Sequence, residues 1–126
     1  MPNLPSGWAC MGVLVQFYDL PFNPQHMMHE LGADPIGQAP TEQLLLGFKK
    51  AGLKAGILQT KTWTDLAGTP LPAMAQMKNG EWVVLAKTAP DKVLIHNPLV
   101  GKPEVLTRTA FEEVFAGTLL LVNRRR

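Results

Sequence analysis

The sequence predicts an α+β domain in which N-terminal helices pack on an antiparallel sheet. Three observations predict it. Residues 8–18 hold one strongly polar side chain, Gln16, so a helix built from them is apolar on nearly every side and belongs at a domain centre. From Leu53 onward the apolar spacing shortens to that of strands separated by turns. Asn79-Gly80, set between two apolar runs, is the strongest short-range hairpin signal. Helices first and paired strands afterwards define the class.

The central helix takes Ser6 as its N-cap, and Gly7 lets another backbone or a ligand approach its start. Leu14 and Phe17 are its expected core residues. Asp19-Leu20-Pro21 stops it, because proline disfavours helical geometry in the residue before it. Asn23 then caps a short helix with Pro24 in its first turn, over residues 25–31, which Gly32 closes. His26 and His29 stand three apart there; with no further Cys or His nearby they read as an exposed face and not as a metal site. Residues 33–40 form a loop by their Pro and Gly content. Thr41-Glu42-Gln43 opens a third helix with Leu44, Leu45 and Phe48 buried, Lys49 and Lys50 at its negative end and Gly52 beyond.

Residues 53–60 read as a strand and 61–69 as a polar connection whose Trp63 and Leu66 cover the core. Residues 72–77 and 81–87 flank the hairpin turn. Ala89-Pro90-Asp91 turns the chain into a strand over 92–96, followed by Asn97-Pro98 and a loop at 99–103. Residues 104–106 form a short strand, Thr107 or Thr109 caps a helix running through Phe115, Gly117 ends it, and 118–123 is a closing strand.

Length and composition bound the rest. At 126 residues the chain is one domain with its own core, and 46% hydrophobic with 17% charged residues is globular. One cysteine excludes an internal disulfide framework and fits a reducing compartment. Met1-Pro2-Asn3-Leu4-Pro5 lacks the basic start of a secretory signal, and the apolar run is far short of the ~20 residues that span a bilayer. The net charge of +2 is not spread over the fold, because Arg124-Arg125-Arg126 supply three of the twelve basic groups. The body is near neutral, which gives nucleic-acid binding little support. A basic triplet suits a cytoplasmic segment beside a membrane helix, so the expected division is a domain over 1–123 and a basic end at 124–126 leading to a membrane segment of a parent chain.

Pro5-Ser6-Gly7-Trp8-Ala9-Cys10-Met11 resembles the opening of bacteriocin-processing cysteine peptidase domains of bacterial ABC exporters, which read Asp-Cys-Gly-Leu-Ala-Cys-Leu. Leu71-Pro72-Ala73 followed by Gly80-Glu81-Trp82-Val83-Val84-Leu85 is similar to the family's Leu-Pro-Ala strand and its Gly-His-aromatic-Val-Val-Leu strand. Asn97-Pro98 stands where the family has Asp-Pro, and Ala110-Phe111-Glu112 with Phe115-Ala116-Gly117 resembles its Glu-Phe…Trp-x-Gly ending. The resemblance covers nearly the whole chain and implies a papain-like fold.

It also implies a lost active site. A papain-like peptidase needs a thiolate activated by an imidazole that a third group orients. Ser6 falls on the nucleophile position, Glu81 or Trp82 on the histidine position and Asn97 on the aspartate position. The oxyanion-hole Gln, about six residues before the nucleophile in the family, has no counterpart upstream of Ser6. Bland readings exist for each: a cap for Ser6, a core residue for Trp82, a turn residue for Asn97. Cys10 matches the family's second, non-catalytic cysteine; inside an apolar helix its thiol has a raised pKa and poor access. A Cys10/His96 pair is disfavoured, because His96 adjoins Asn97 on a strand and adjacent strand residues face opposite ways.

Haemolysin-type exporters carry such a catalytically dead domain to hold unfolded, RTX-type cargo, and the resemblance is closer to that class. It implies a non-catalytic cytoplasmic tether whose partners are an unfolded secreted protein and the nucleotide-binding and membrane domains of the parent transporter. Trp8, Trp82 and Asn97 are the expected substrate contacts, with Trp63 a third aromatic candidate. No Gly-x-x-x-x-Gly-Lys-Ser/Thr run is present, so no nucleotide or other cofactor is expected in this fragment. The alternatives are a divergent leader peptidase that cuts a double-glycine signal through Ser6 or Cys10, and a structural module docked on the nucleotide-binding domain.

Overall fold

A computed structural model describes residues 6–21, 23–32, 41–59, 63–68, 71–98 and 100–124. Residues 1–5, the loop expected over 33–40, Thr60, Thr69, Leu99 and the last two arginines lie outside them. The elements in chain order are α1 (Ser6–Phe17), α2 (Pro24–Leu31), α3 (Thr41–Lys50), β1 (Leu53–Gln59), α4 (Trp63–Ala67), β2 (Ala73–Met77), β3 (Trp82–Thr88), β4 (Lys92–Asn97), β5 (Lys102–Thr107), α5 (Arg108–Val114) and β6 (Phe115–Arg124). The strands form one antiparallel sheet of order β1-β6-β2-β3-β4-β5. The α+β class and the helices-on-sheet architecture stand as expected.

Both faces of the sheet are covered, and alternation along the strands decides which side chain goes where. Met74, Trp82, Val84 and Leu120 turn to one face and meet Trp8, Met11 and Leu14 of α1 and Leu44 and Phe48 of α3. Ala75, Val83, Leu85, Val93 and Leu119 turn to the other and meet Trp63 and Leu66 of α4 and Phe111 of α5. Strands buried on two sides read as continuous apolar runs, as Trp82-Val83-Val84-Leu85 does.

The local signals for α2 hold in full. Asn23 Oδ1 accepts from the His26 N–H at 3.0 Å, and Gly32 ends the helix at φ 66°. The hairpin between β2 and β3 closes through Gly80 N–H to Met77 O at 2.9 Å and Met77 N–H to Glu81 O at 2.7 Å. Gly80 takes φ 89°, so the loop is a turn followed by a glycine bulge.

Five expectations are corrected. Phe17 is 60% exposed and is no core residue. The helices cover the sheet as a layer, so α1 turns Gln16 and Phe17 outward; it does not sit at the centre of a ball. Leu45 is only half-buried, for the same reason. The polar connection over 61–69 contains α4, because Trp63 and Leu66, three apart, bury together only on one helical face. β5 begins at Lys102, shortening the expected loop, since the Val100 and Gly101 N–H groups both fold back on Asn97 O at 3.0 Å. α5 is capped by Thr107, whose Oγ1 accepts from the Ala110 N–H at 3.2 Å, and stops at Val114. Phe115 already pairs with Met77 in β6, and Gly117, at φ 97°, sits where the β2–β6 register shifts, inside the strand.

Leu14→Ala is expected to cost about 2–5 kcal/mol by urea unfolding, because Leu14 is fully buried and truncation leaves a cavity. Phe17→Ala should stay within about 0.5 kcal/mol. Equal costs for the two would contradict the layer arrangement.

Candidate functional site

The site is built where α1 meets the sheet. Ser6, the first residue of α1, is 1% exposed, and its Oγ accepts a hydrogen bond from the Trp82 N–H at 2.8 Å. The hydroxyl expected to cap its own helix thus ties that helix to the first residue of β3. Gly7 makes the seat tight: a Cβ there would lie 3.1 Å from a Leu44 methyl and 3.3 Å from Trp82 Cδ1. What approaches the helix start is this packing.

The next residue back from Trp82 faces the other way. Glu81 lines a groove of about 560 Å³ together with Asn97, on the sheet face that carries α5. Met77, Val83 and Ile95 form its floor, Val100 and Val114 its walls, and Lys78, Lys102, Glu104 and Glu113 its rim. Asn97 reaches it by register: one step beyond the Val84↔His96 pair, it stands beside Val83 at the end of β4. The fold therefore brings Glu81 and Asn97 into one groove, leaves Trp82 out of it, and ties Ser6 to the start of the same strand through the Trp82 N–H.

Trp8 and Trp82 are both wholly buried in the helix-side core, so the expected aromatic contacts with a peptide are corrected to packing. Strand alternation turns Trp82 under α1, and Trp8 lies on the inner face of the same helix. Trp63 is 8% exposed, with the Arg108 guanidinium 5.3 Å above its ring. Of the three expected contacts, only Asn97 lines an open surface.

Cys10 is fully buried, and loss of hydration pushes its thiol up, well beyond the thiol range, so the thiolate is disfavoured. His96 pairs with Val84, which faces the helices, and so lies on the opposite face from Asn97. His26 is exposed and its Nε2 sits 2.8 Å from Glu30 Oε1, with Lys50 3.8 Å from the other carboxylate oxygen. Among the described residues no three His, Cys, Asp or Glu side chains gather as a metal site. The groove walls were missed by sequence reasoning. Val100 stands alone in a turn, and Val114 is the last residue of α5; neither has a periodic pattern to announce it.

The peptidase C39 family profile matches residues 3–126. A leukotoxin translocation ATP-binding protein, LktB, of Mannheimia haemolytica is 30% identical over 121 residues, which is 94% of this chain and 17% of that protein. The chain thus spans under a fifth of the length of this relative. Among solved structures, the peptidase C39-like domain of a toxin secretion ATP-binding protein from Vibrio parahaemolyticus superposes with a TM-score of 0.80 at 19% identity, covering 98% of this chain and 99% of that one. A double glycine motif protease of an AMS/PCAT transporter, in complex with its leader peptide, gives 0.86 at 17% identity, covering 99% and 88%.

Ser6→Ala should destabilise the fold by about 1–3 kcal/mol in urea, because it leaves the buried Trp82 N–H without this acceptor. A cost near zero would show that the bond holds nothing. Cys10 should resist iodoacetamide at mildly alkaline pH and react once urea unfolds the chain. Because folding favours its neutral form, its contribution to stability is complete below the ordinary thiol pKa of 9.0 and declines as pH rises past it. Rapid labelling of the folded protein would overturn the burial of α1.

Proposed function

The chain belongs to the peptidase C39 family, and from that premise we propose that it is a non-catalytic member: a domain of an ABC exporter that holds an unfolded secreted protein before transport, on the cytoplasmic face of a bacterial inner membrane. One observation carries the reading. By the sequence resemblance, the positions at which a cysteine peptidase keeps its nucleophile, base and orienting group carry Ser6, Glu81 and Asn97, and in support Ser6 accepts from the Trp82 N–H while Glu81 and Asn97 share one groove. A hydroxyl whose oxygen accepts from a backbone amide, beside a carboxylate and an amide, supplies no thiolate–imidazole pair. Cys10, one turn inside the helix, is buried and protonated.

The groove supports holding. Its floor and walls are apolar, its rim carries two lysines and two glutamates, and Glu81 and Asn97 line it. Such a surface suits contacts that tolerate many sequences, and the near-neutral body limits electrostatic capture. Membership in an exporter is supported by the leukotoxin-translocation and toxin-secretion relatives, and among the described residues no helix is long and apolar enough to cross a membrane.

The test compares a reduced, carboxymethylated secreted protein with its native form by fluorescence anisotropy against the 126-residue chain. Micromolar or weaker binding to the unfolded form is expected, with little binding to the folded form and mild salt dependence. Preference for the folded form would remove the tethering mechanism. In parallel, a leader peptide bearing a double-glycine motif should stay intact; cleavage abolished by Ser6→Ala or Cys10→Ala would make the domain an enzyme.

A further inference from the structure

The two edges of the sheet are built differently. β5 opens with Lys102, Pro103 and Glu104, the charges and the missing N–H that keep a foreign strand off an edge. β1 has no proline, and Lys54 is its one charged residue. It pairs with β6 over its full length without a register shift, from Leu53↔Arg124 to Gln59↔Thr118, so its outer edge is regular. Ile57 and Leu58 are 37% and 36% exposed, and a Cβ on Gly56 would meet nothing within 4 Å. Among the described residues no strand lies outside β1.

Two hollows flank this edge. One of about 330 Å³ lies between β1 and α3, lined by Leu45, Leu46, Lys49, Leu53, Lys54 and Ala55. The other, of about 240 Å³, runs along β1 and β6 and shares Lys54 and Ala55 with the first. Neither is lined by a carboxylate. The neighbouring Lys50 has Glu30 as a partner, whereas Lys49 and Lys54 face the hollow with apolar neighbours.

We propose that the β1 edge receives an extended, acidic segment of the unfolded cargo as an additional strand. The proposal rests on the tethering function and names where and how the cargo is held. Its main chain pairs with β1, its apolar side chains enter the flanking hollows, and its carboxylates meet Lys49 and Lys54. Main-chain pairing gives a tether what it needs. Every unfolded chain offers free N–H and C=O groups, and a folded one has already paired them. The lysines add a charge preference that sequence-blind pairing lacks. The groove at Glu81 and Asn97 lies four strand spacings away at β4, about 19 Å, so one extended chain can engage both.

The test uses the 126-residue chain and a fluorescein-labelled synthetic peptide of mixed valine, serine and glutamate. Two versions of the peptide are N-methylated at alternate residues in opposite frames. One frame should weaken binding by about tenfold or more and the other should leave it unchanged, because a bound strand turns only every second N–H to its neighbour. Replacing the peptide's glutamates by lysine should also weaken it several-fold. In the protein, Ile57→Lys with Leu58→Glu should abolish the frame dependence, while Val105→Glu on the exposed part of β5, outside the groove and both hollows, should leave the peptide's affinity unchanged. Equal effects of the two frames overturn the edge proposal without needing any variant to fold. Weakening by Val100→Glu in the groove and not by the edge variant moves the contact there, which overturns the edge proposal and leaves the tether standing. Dissociation of a wild-type dimer by the edge variant, with peptide affinity unchanged, assigns the edge to a second copy and overturns it too. If neither the peptide nor a carboxymethylated protein binds the wild type, the tethering function itself falls.

Discussion

The seating of α1 on β3 is the constraint on which the remainder depends. It is made by a small set of groups: the Ser6 hydroxyl on the Trp82 amide, the absent side chain at Gly7, and the Trp8 and Trp82 rings in one core. A backbone N–H at the first residue of a central strand must find an acceptor or be penalised. Ser6 supplies it from 76 residues away, and so fixes the height of the helix over the sheet. The side chain that opens α1 is thus bound into the scaffold of the sheet.

This seating accounts for the two unequal faces of β3. Trp82 fills space beneath α1, where an imidazole in its place would be shut away from solvent. Glu81 remains at the surface, half-buried, in a groove whose rim has charges of both signs. An apolar floor under a rim of mixed charge favours contacts that tolerate many peptide sequences.

The sequence disclosed what is local and what is strongly patterned. Asn23 with Pro24, Gly32 and Asn79-Gly80 act within a few residues, so each could be read directly. The apolar run that became α1 identified the core helix but not its outer stripe. Whether Phe17 is buried depends on what lies beyond the helix, and no spacing within the run encodes that. α5 and Gly117 were misjudged for a related reason. Phe115 looks like helix until its partner, Met77, is known to lie across from it in the sheet. At the site, the resemblance pointed to Ser6, to Glu81 or Trp82, and to Asn97, but the sharing of one groove by Glu81 and Asn97, and the exclusion of Trp82 from it, arise from strand alternation and the β3–β4 register. The groove walls Val100 and Val114 depend on a turn and a helix end meeting, which is a purely tertiary fact.

The strand order has a kinetic side. β6, formed by residues near the end of the sequence, lies between β1 and β2, pairing with both, so the sheet cannot close around its core until that segment is present. β1 reaches its neighbour only through residues about half the chain away, from Gln59↔Thr118 to Leu53↔Arg124, and closing such a loop costs entropy that local contacts cannot offset early. During synthesis the helices and the β2–β3–β4 meander can form first, while β1 waits as an unpaired apolar strand. Passage through the ribosome is therefore the stage at which this domain is most open to mispairing, and the segment exposed then is the one that, among the described residues, has no strand on its outer side in the finished fold.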